Sequence, residues 1–395
     1  MVNLLLLNVG SSSIKYKVAS DAKTLVEGKH AGLNTSREYQ VALRQIESML
    51  AGKKIKVDYV VHRVVHGFGL HDTCFYNKNV REHIEKGIMA APLHNKPQLA
   101  ALKHFEGRLK QVCVFDSLPF SFDDINASYA LPMEIAEELG IKRVSFHGLS
   151  HKFMYEYFEK KMQLKKKKVI TVHLGSGSSV SSFVNGKAVY NSMGFTPLSG
   201  IIMSTRSGDI DPGIIFYLND MGMPPAQVFD MFNYESGMKG LTGEKDFLKI
   251  LKSRKRGNKY DFAYKMFVQS VCDNIAQAVS RINGCDAILF SGEIGSGSET
   301  VRNDVKEGLS FFGKSVKYSN VKADEESVML KEAQKIIGRS PKRTADKKSP
   351  AKSEASSKSK STTKKKTVEK KRPATKKSPA KKKIVIKGKS TARKK

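Results

Sequence analysis

The sequence predicts an α/β protein whose sheets are covered by helices on both faces. Short apolar runs recur along residues 1–338 (LLLLNV, KVDYVVHRVV, VCVFD, KRVSF, KVITVHL and DAILF), and strands apolar on both sides belong in sheets with no wet face. Amphipathic segments of helical period lie between several of them, the alternation expected of α/β architecture. After Gly338 apolar residues almost vanish, apart from IVI at 384–386.

In chain order, MVNLLLLNVG reads as a buried strand, because it lacks the basic start and small-residue cleavage site of a secretory leader. NVGSSSIKYKV at 8–18 is a strand, a glycine-serine turn and a second strand. Such a turn offers donors to a phosphate, or it is a plain hairpin turn. VVHRVVHGFG at 60–69 ends a strand with Arg63 and two imidazoles; Arg63 suits a carboxylate or phosphate clamp, or an ordinary surface site. VFDSLPFSF ends a strand with Asp116, placed to hold Mg²⁺ through water, to act as a base or to cap. SFHGLSHKF follows the KRVSF strand with His147 and His151 four apart; no third ligand accompanies them, so hydrogen bonding to an anion is favoured over zinc.

HLGSGSSV at 173–180 gives a phosphate-cradling turn at Gly175 and Gly177, and STRSGDIDP packs Arg206, Asp209 and Asp211 into six residues. A plain loop has little reason to keep that density of charge near an apolar run, and a structural ion-pair network is the alternative. Tyr260–Asn283 is the clearest helix, with Ala263, Phe267, Val271, Ala278 and Ile282 on one face and Asn283-Gly284 as its stop. FSGEIGSGS at 290–298 is a glycine-rich turn between a strand and the helix ETVRNDVKEGL, a usual place to hold a nucleotide, but Glu293 stands in the middle of it. The last helix is Glu325–Ile337, with Asp324 as N-cap and Gly338 at its end.

The chain has 395 residues and a net charge of +31, unevenly placed. Residues 339–395 hold 24 Lys and Arg against Asp346, Glu354 and Glu369, a net +21 that leaves +10 for the rest. This tail is expected to be disordered and resembles the basic tails of linker histones, which bind nucleic acid by counterion release. The alternative is a solubilising tail. No apolar run is long enough to cross a membrane, and four cysteines without C-x-x-C spacing fit a reducing cytosol.

Taken in order, NVGSSSIK, HRVVHG, APLHN, VFD, FHGLSHK, HLGSGSSV, MGFTPLSG, TRSGDIDP, SGMKGLTG, the 290–298 loop and DEE resemble the acetate kinase family across residues 1–338. The resemblance implies two ribonuclease-H-like domains facing across a cleft. The first is 1–118, completed by the helix 325–338; the second is 119–324, which carries the nucleotide and dimer side. It implies transfer of the ATP γ-phosphoryl group to acetate with Mg²⁺ or Mn²⁺, in a cytoplasmic homodimer.

Carried over by position, Arg63 and Arg206 bind carboxylate and phosphoryl groups, His147 donates to the moving phosphoryl group, and Asp116 orients substrate and metal. Asn8 and Glu325 serve the metal. Ser11, Ser13 and Lys15 in the first turn, His173, Gly175, Ser176 and Gly177 in the second, and Gly292, Glu293, Gly295 and Ser296 in the loop serve the nucleotide. Val64 and Pro197 lie in motifs that line the acetate methyl pocket.

The departures from the family pattern gather on the nucleoside side. GNG becomes Gly175-Ser176-Gly177, HGG becomes His66-Gly67-Phe68, Phe120 replaces a histidine, and FTAGIGENS becomes FSGEIGSGS. Glu293 either addresses a ribose or base donor, or fills nucleoside space in favour of a smaller donor such as pyrophosphate. A longer acyl substrate, or a nucleic-acid-binding protein with an inactive core, are the remaining alternatives.

Overall fold

The computed structural model describes residues 2–21, 23–118, 125–162, 167–313 and 315–338. The expected crossing between domains near Asp116–Ser121, Phe120 and the basic tail lie partly or wholly outside them. All the described residues belong to one compact unit, Met1–Pro341.

Eleven strands are described: β1 Asn3–Val9, β2 Ser13–Ser20, β3 Lys23–Ala31, β4 Tyr59–Val64, β5 Cys74–Phe75, β6 Lys110–Phe115, β7 Lys168–Leu174, β8 Ser178–Val184, β9 Lys187–Asn191, β10 Ala287–Ser291 and β11 Lys317–Asn320. They form a six-stranded sheet, β3-β2-β1-β4-β6-β5, and a five-stranded sheet, β11-β10-β7-β8-β9. In the first, β1, β2 and β3 are antiparallel and β1, β4 and β6 parallel. In the second, β7, β8 and β9 are antiparallel and β7, β10 and β11 parallel. The same pattern is thus built twice. In each copy a short serine-glycine turn follows the first strand: Gly10–Ser12 after β1 and Gly175–Gly177 after β7.

The apolar runs earn their places by period. Leu5, Leu7 and Val9 of β1 pack on the helices α1 Ser36–Gly52 and α3 Pro92–Phe105, while Leu4 and Leu6 face the other way, onto α13. Between α1 and α3 lies α2 Lys78–Lys86. In the second sheet, Ile170, Val172 and Leu174 pack against α10, and Val169 against α5. The other helices are α4 Met133–Leu139, α5 Gly148–Met162, α6 Gly213–Asp220, α7 Pro225–Asp230, α8 Gly237–Thr242, α9 Phe247–Ser253, α10 Lys259–Arg281, α11 Gly292–Gly297, α12 Glu299–Gly308 and α13 Glu325–Ile337.

Three expectations change. KRVSF is not a strand: Arg143 N–H bonds to the Ala127 carbonyl and Val144 N–H to that of Gly194, and Ser145 and His147 have φ of 69° and 54°. Two left-handed residues so close together cannot hold a ladder. The α10 helix begins at Lys259, with Asn258 as N-cap, and ends at Arg281; Asn283 and Gly284 lie past its end. The FSGEIGSGS segment is not a bare turn, since Gly292–Gly297 coil into the short helix α11. The helix α13 has the expected bounds, and the Asp324 carboxylate accepts from Ser327 N–H. All four cysteines are free thiols.

Candidate active site

A cavity of about 530 Å³ opens between the two serine-glycine turns. It gathers nearly every residue the sequence singled out. From the first sheet come Asn8, Ser11, Ser13, Lys15 and Arg63; from the second come His173, Gly175, Ser176, Gly177, Gly292, Glu293 and Ser296; His147, Arg206 and Glu325 complete it. Asp116 and Gly295 stand behind the wall rather than on it. Asp116 is fully buried. Gly295 is buried too, with a Cβ there meeting Leu174 at 3.5 Å.

Arg63 is the next-to-last residue of β4, so its side chain leaves the sheet at the parallel strands' carboxyl end. Arg63 Nε donates to Asp116 Oδ2 at 2.9 Å, its Nη2 donates to the same oxygen, and Nη1 donates to Asn8 Oδ1 at 3.0 Å. Burial works against the guanidinium charge, but Asp116 and then Glu325 hold Arg63 above its ordinary range. Burial lifts the Asp116 carboxyl, with Arg63 pulling it back. Asp116 also accepts from Leu149 N–H at 2.8 Å, which ties the first turn of α5 to the end of β6.

Arg206 is built differently. It is 7% exposed, its Nη1 donates to the Pro197 carbonyl at 2.6 Å, and no carboxylate pairs with it among the described residues. Asp209 instead accepts from Gly200 N–H at 2.7 Å and Asp211 from Gly213 N–H at 2.8 Å. The ion-pair network that the charge density allowed is therefore absent around Arg206. Burial pulls its guanidinium down to about 10. A buried cation with no counter-charge, lining an open cavity, is a site for an anion.

His147 and His173 stack with ring centroids 4.4 Å apart. Each Nδ1 meets a serine, Ser179 Oγ at 2.9 Å for His147 and Ser150 Oγ at 2.8 Å for His173. Burial, then His173, Arg63, His151 and Arg206, hold His147 well below 6.5; burial also lowers His173. A Cβ on Gly177 would lie 2.8 Å from Arg206 Nη2 and 3.2 Å from His147 Nε2, so a side chain there would push against the two groups that face the cavity. His151 is fully buried behind His147, and among the described residues no three His, Cys, Asp or Glu side chains gather as a metal site.

Sequence reasoning assigned no role to several side chains that line the cavity, among them His94, Lys29, Lys322 and Glu326. Lys29 sits directly opposite Lys15 in the β2–β3 register. Two ammonium groups so paired repel unless an anion lies between them. The signals for His94 and Glu326 were present in APLHN and DEE; nothing local marks Lys29 or Lys322. Val64 faces away, into a core with Val80, Ile84 and Phe115, whereas Val65 joins Ala91, Val144, Phe146, Met193 and Met203. Met203 N–H bonds to the Arg206 carbonyl, so this second cluster is the apolar patch beside the arginine.

The side chains present also suit Mg²⁺, which takes one or two carboxylates and completes its shell with water and substrate phosphates. Glu325 Oε2 and Glu326 Oε1 both accept from Asn8 Nδ2, at 3.0 and 3.2 Å, which sets two carboxylates beside the first serine turn. Burial would raise Glu325, but Arg63 and then His173 and Asn8 hold it below its ordinary value.

Comparison with known proteins agrees with this geometry. Residues 21–338 match the model of the acetokinase family. The chain is 33% identical over 374 residues to an acetate kinase of Carboxydothermus hydrogenoformans, covering 85% of this chain and 92% of that protein. It is 34% identical over 351 residues to acetate kinase 1 of Listeria monocytogenes serotype 4b, covering 79% and 88%. Among solved structures, a propionate kinase from Francisella tularensis superposes with a TM-score of 0.76 at 27% identity, covering 84% and 99%. The Porphyromonas gingivalis acetate kinase gives 0.74 at 27% identity, covering 85% and 100%. On sequence, topology and the contents of its cleft, the chain belongs to the acetokinase family.

Proposed function

We propose that the protein is an acetate kinase, transferring the γ-phosphoryl group of ATP to acetate to give acetyl phosphate and ADP, and running the reaction in reverse. The observation that carries this is Arg206, a buried cation without a carboxylate, facing the cavity that Arg63 and His147 also line. In the forward direction an acetate oxygen attacks the γ-phosphorus in line, and the bond from phosphorus to the β-bridging oxygen breaks, leaving ADP. Catalysis is then positioning plus charge neutralisation on the equatorial oxygens. Arg206 and His147 supply donors to those oxygens. Asp116 and Asn8 hold Arg63 flat for the acetate carboxylate, and the methyl points toward the buried cluster of Val65, Phe146 and Met203 that stands behind the wall beside Arg206. Asn8, Glu325 and Glu326 would hold a divalent cation, which would neutralise charge on the donor phosphates.

One observation favours a second reading of the donor. Apart from Ala323, no apolar side chain lines the cavity, whereas Lys15, Lys29 and Lys322 do. A base is usually held against apolar or aromatic faces, so this lining suits an inorganic donor such as pyrophosphate. Acyl phosphate formation from acetate, propionate and butyrate, each against ATP, GTP and pyrophosphate, tests both readings. Absence of product in every pairing would sink the kinase.

We also keep as proposals the division into lobes 1–118 with 325–338 and 119–324, a cytosolic location, and a homodimer. The dimer is supported by α6 and the residue that caps its end, where Phe216, Tyr217 and Met221 are 64–70% exposed. Non-specific binding of nucleic acid by residues 339–395 is tested by comparing duplex affinity before and after truncation at Gly338. Among the described residues no helix is long and apolar enough to cross a membrane.

A further inference from the structure

Behind the cleft wall four side chains stand in a row. Thr171 Oγ1 lies 2.8 Å from His151 Nδ1, His151 Nε2 lies 2.7 Å from Ser179 Oγ, and Ser179 Oγ lies 2.9 Å from His147 Nδ1. Thr171 of β7, His151 of α5 and Ser179 of β8 are all fully buried. His147 Nε2 lies toward Gly177 and the cavity.

A hydroxyl donates one proton, and a neutral imidazole donates from one nitrogen and accepts at the other. Each link therefore dictates the next, and the neutral row can be fully bonded in two ways. Pointed outward, Thr171 donates to His151 Nδ1, His151 Nε2–H to Ser179, and Ser179 to His147 Nδ1, so His147 presents Nε2–H to the cavity. Pointed inward, every bond reverses, Thr171 sends its proton to the Ser181 carbonyl, and His147 presents a bare lone pair.

The distances favour the outward order. Thr171 Oγ1 is 3.3 Å from the Ser181 oxygen but 2.8 Å from His151. A phosphoryl oxygen in the cavity favours it too, because it attracts an N–H and repels a lone pair. The groups facing His147 (stacked His173, Arg63 and Arg206 at the cavity, His151 behind) disfavour a second proton on the ring. With only one proton to carry, the ring donates to substrate in this tautomer alone.

We propose that Thr171, His151 and Ser179 are positioning residues that lock His147 in its Nε2–H tautomer, aimed at the transferred phosphoryl group. The proposal rests on the role given to His147 above, and takes its effect from bonds that polarise one another along a buried row. Thr171 acts from three hydrogen bonds away and touches no substrate.

The test uses the full chain labelled with ¹⁵N-histidine. Two- and three-bond nitrogen–proton couplings at neutral pH should report Nε2–H on both His147 and His151. Either ring found as Nδ1–H overturns the proposal. Steady-state kinetics supply the second arm. Thr171→Val keeps the shape and removes the hydroxyl, and should lower kcat about tenfold with KM for acetate within about twofold; Thr171→Ser should restore it. A folded Thr171→Val enzyme with wild-type kcat overturns the relay. Should that variant not fold, Ser179→Ala asks the same question, and the wild-type tautomers decide by themselves. Nε2–H on both rings together with no acyl phosphate from any donor would instead refute the acetate reading and leave the row as described.

Discussion

His147 and His173 stack at 4.4 Å between centroids, with their planes 27° from parallel. Two imidazolium ions would repel at that distance, so the pair works at most singly charged. Both rings hang from serines on regular elements, Ser179 on β8 and Ser150 on α5, so the stack keeps its geometry without substrate.

Stability should fall on mild acidification. Burial lowers His62 and His94 to about 3 and His66 and His71 to about 4, against 6.5 in the unfolded chain. Between those values the unfolded chain binds protons that the native one does not. Stability is therefore full above about pH 7 and is lost as pH drops, by up to ~1.4 kcal/mol per pH unit for each ring. Urea midpoints at pH 7.5, 6.5 and 5.5 should decrease in that order; equal midpoints contradict the burial of these rings.

Arg206→Met should separate activity from stability. Loss of a donor at the transfer centre should cut kcat by roughly 10²–10³-fold. Removal of a buried charge that has no counter-charge should leave the thermal midpoint unchanged or raised. A large drop in midpoint would mean that the hydrogen bond of Arg206 to the Pro197 carbonyl outweighs the relief of an uncompensated charge.

Asp116→Asn should do the reverse to the fold. Arg63 and Asp116 are 11% and 0% exposed in their side chains, and breaking a buried pair from one side costs about 3–5 kcal/mol. Chemical denaturation should show that loss along with a strong fall in kcat, and a cost under about 1 kcal/mol would argue that solvent reaches Arg63.

Lys322→Ala and Glu293→Gly address the donor. Lys322→Ala should raise KM for the phosphoryl donor several-fold while leaving KM for acetate alone, since acetate is proposed to sit at Arg63 and the donor at the lysines of the cavity. Glu293→Gly should lower KM for ATP and leave pyrophosphate unaffected. If KM for both donors moves together, Glu293 acts on the shared phosphates.

Much of this was legible because the first strand and turn of each sheet are local events. LLLLNV and KVITVHL carry their faces in their own period, and each runs straight into its serine-glycine turn. The segment 142–146 deceived because its composition is that of a strand, while its bonds go singly to Ala127 and Gly194. The coil of FSGEIGSGS into α11 was hidden because its closing carbonyls, those of Gly295 and Ser296, are held by Arg302 and Asn320 from other elements. Lys29 reaches the cavity only through its register with Lys15, and Lys322 only because β11 runs beside β10. Arg206 was found by motif, but its lack of a counter-ion emerges only when Asp209 and Asp211 are seen to turn to backbone.

Glu325 meets Asn8 across 317 positions of chain. The same helix supplies Val328, Met329 and Ala333 to cover Leu4, Leu6, Val61 and Val112 of the first sheet. During synthesis, at roughly 5–20 residues per second, that sheet face waits about 15 to 60 s after its first strand is made before its cover emerges. The nascent protein therefore passes through a state in which that sheet face lacks the cover of α13 and the active site lacks a carboxylate. Factors that shield emerging chains, or pauses in translation before residue 325, should govern its yield more than its final stability does.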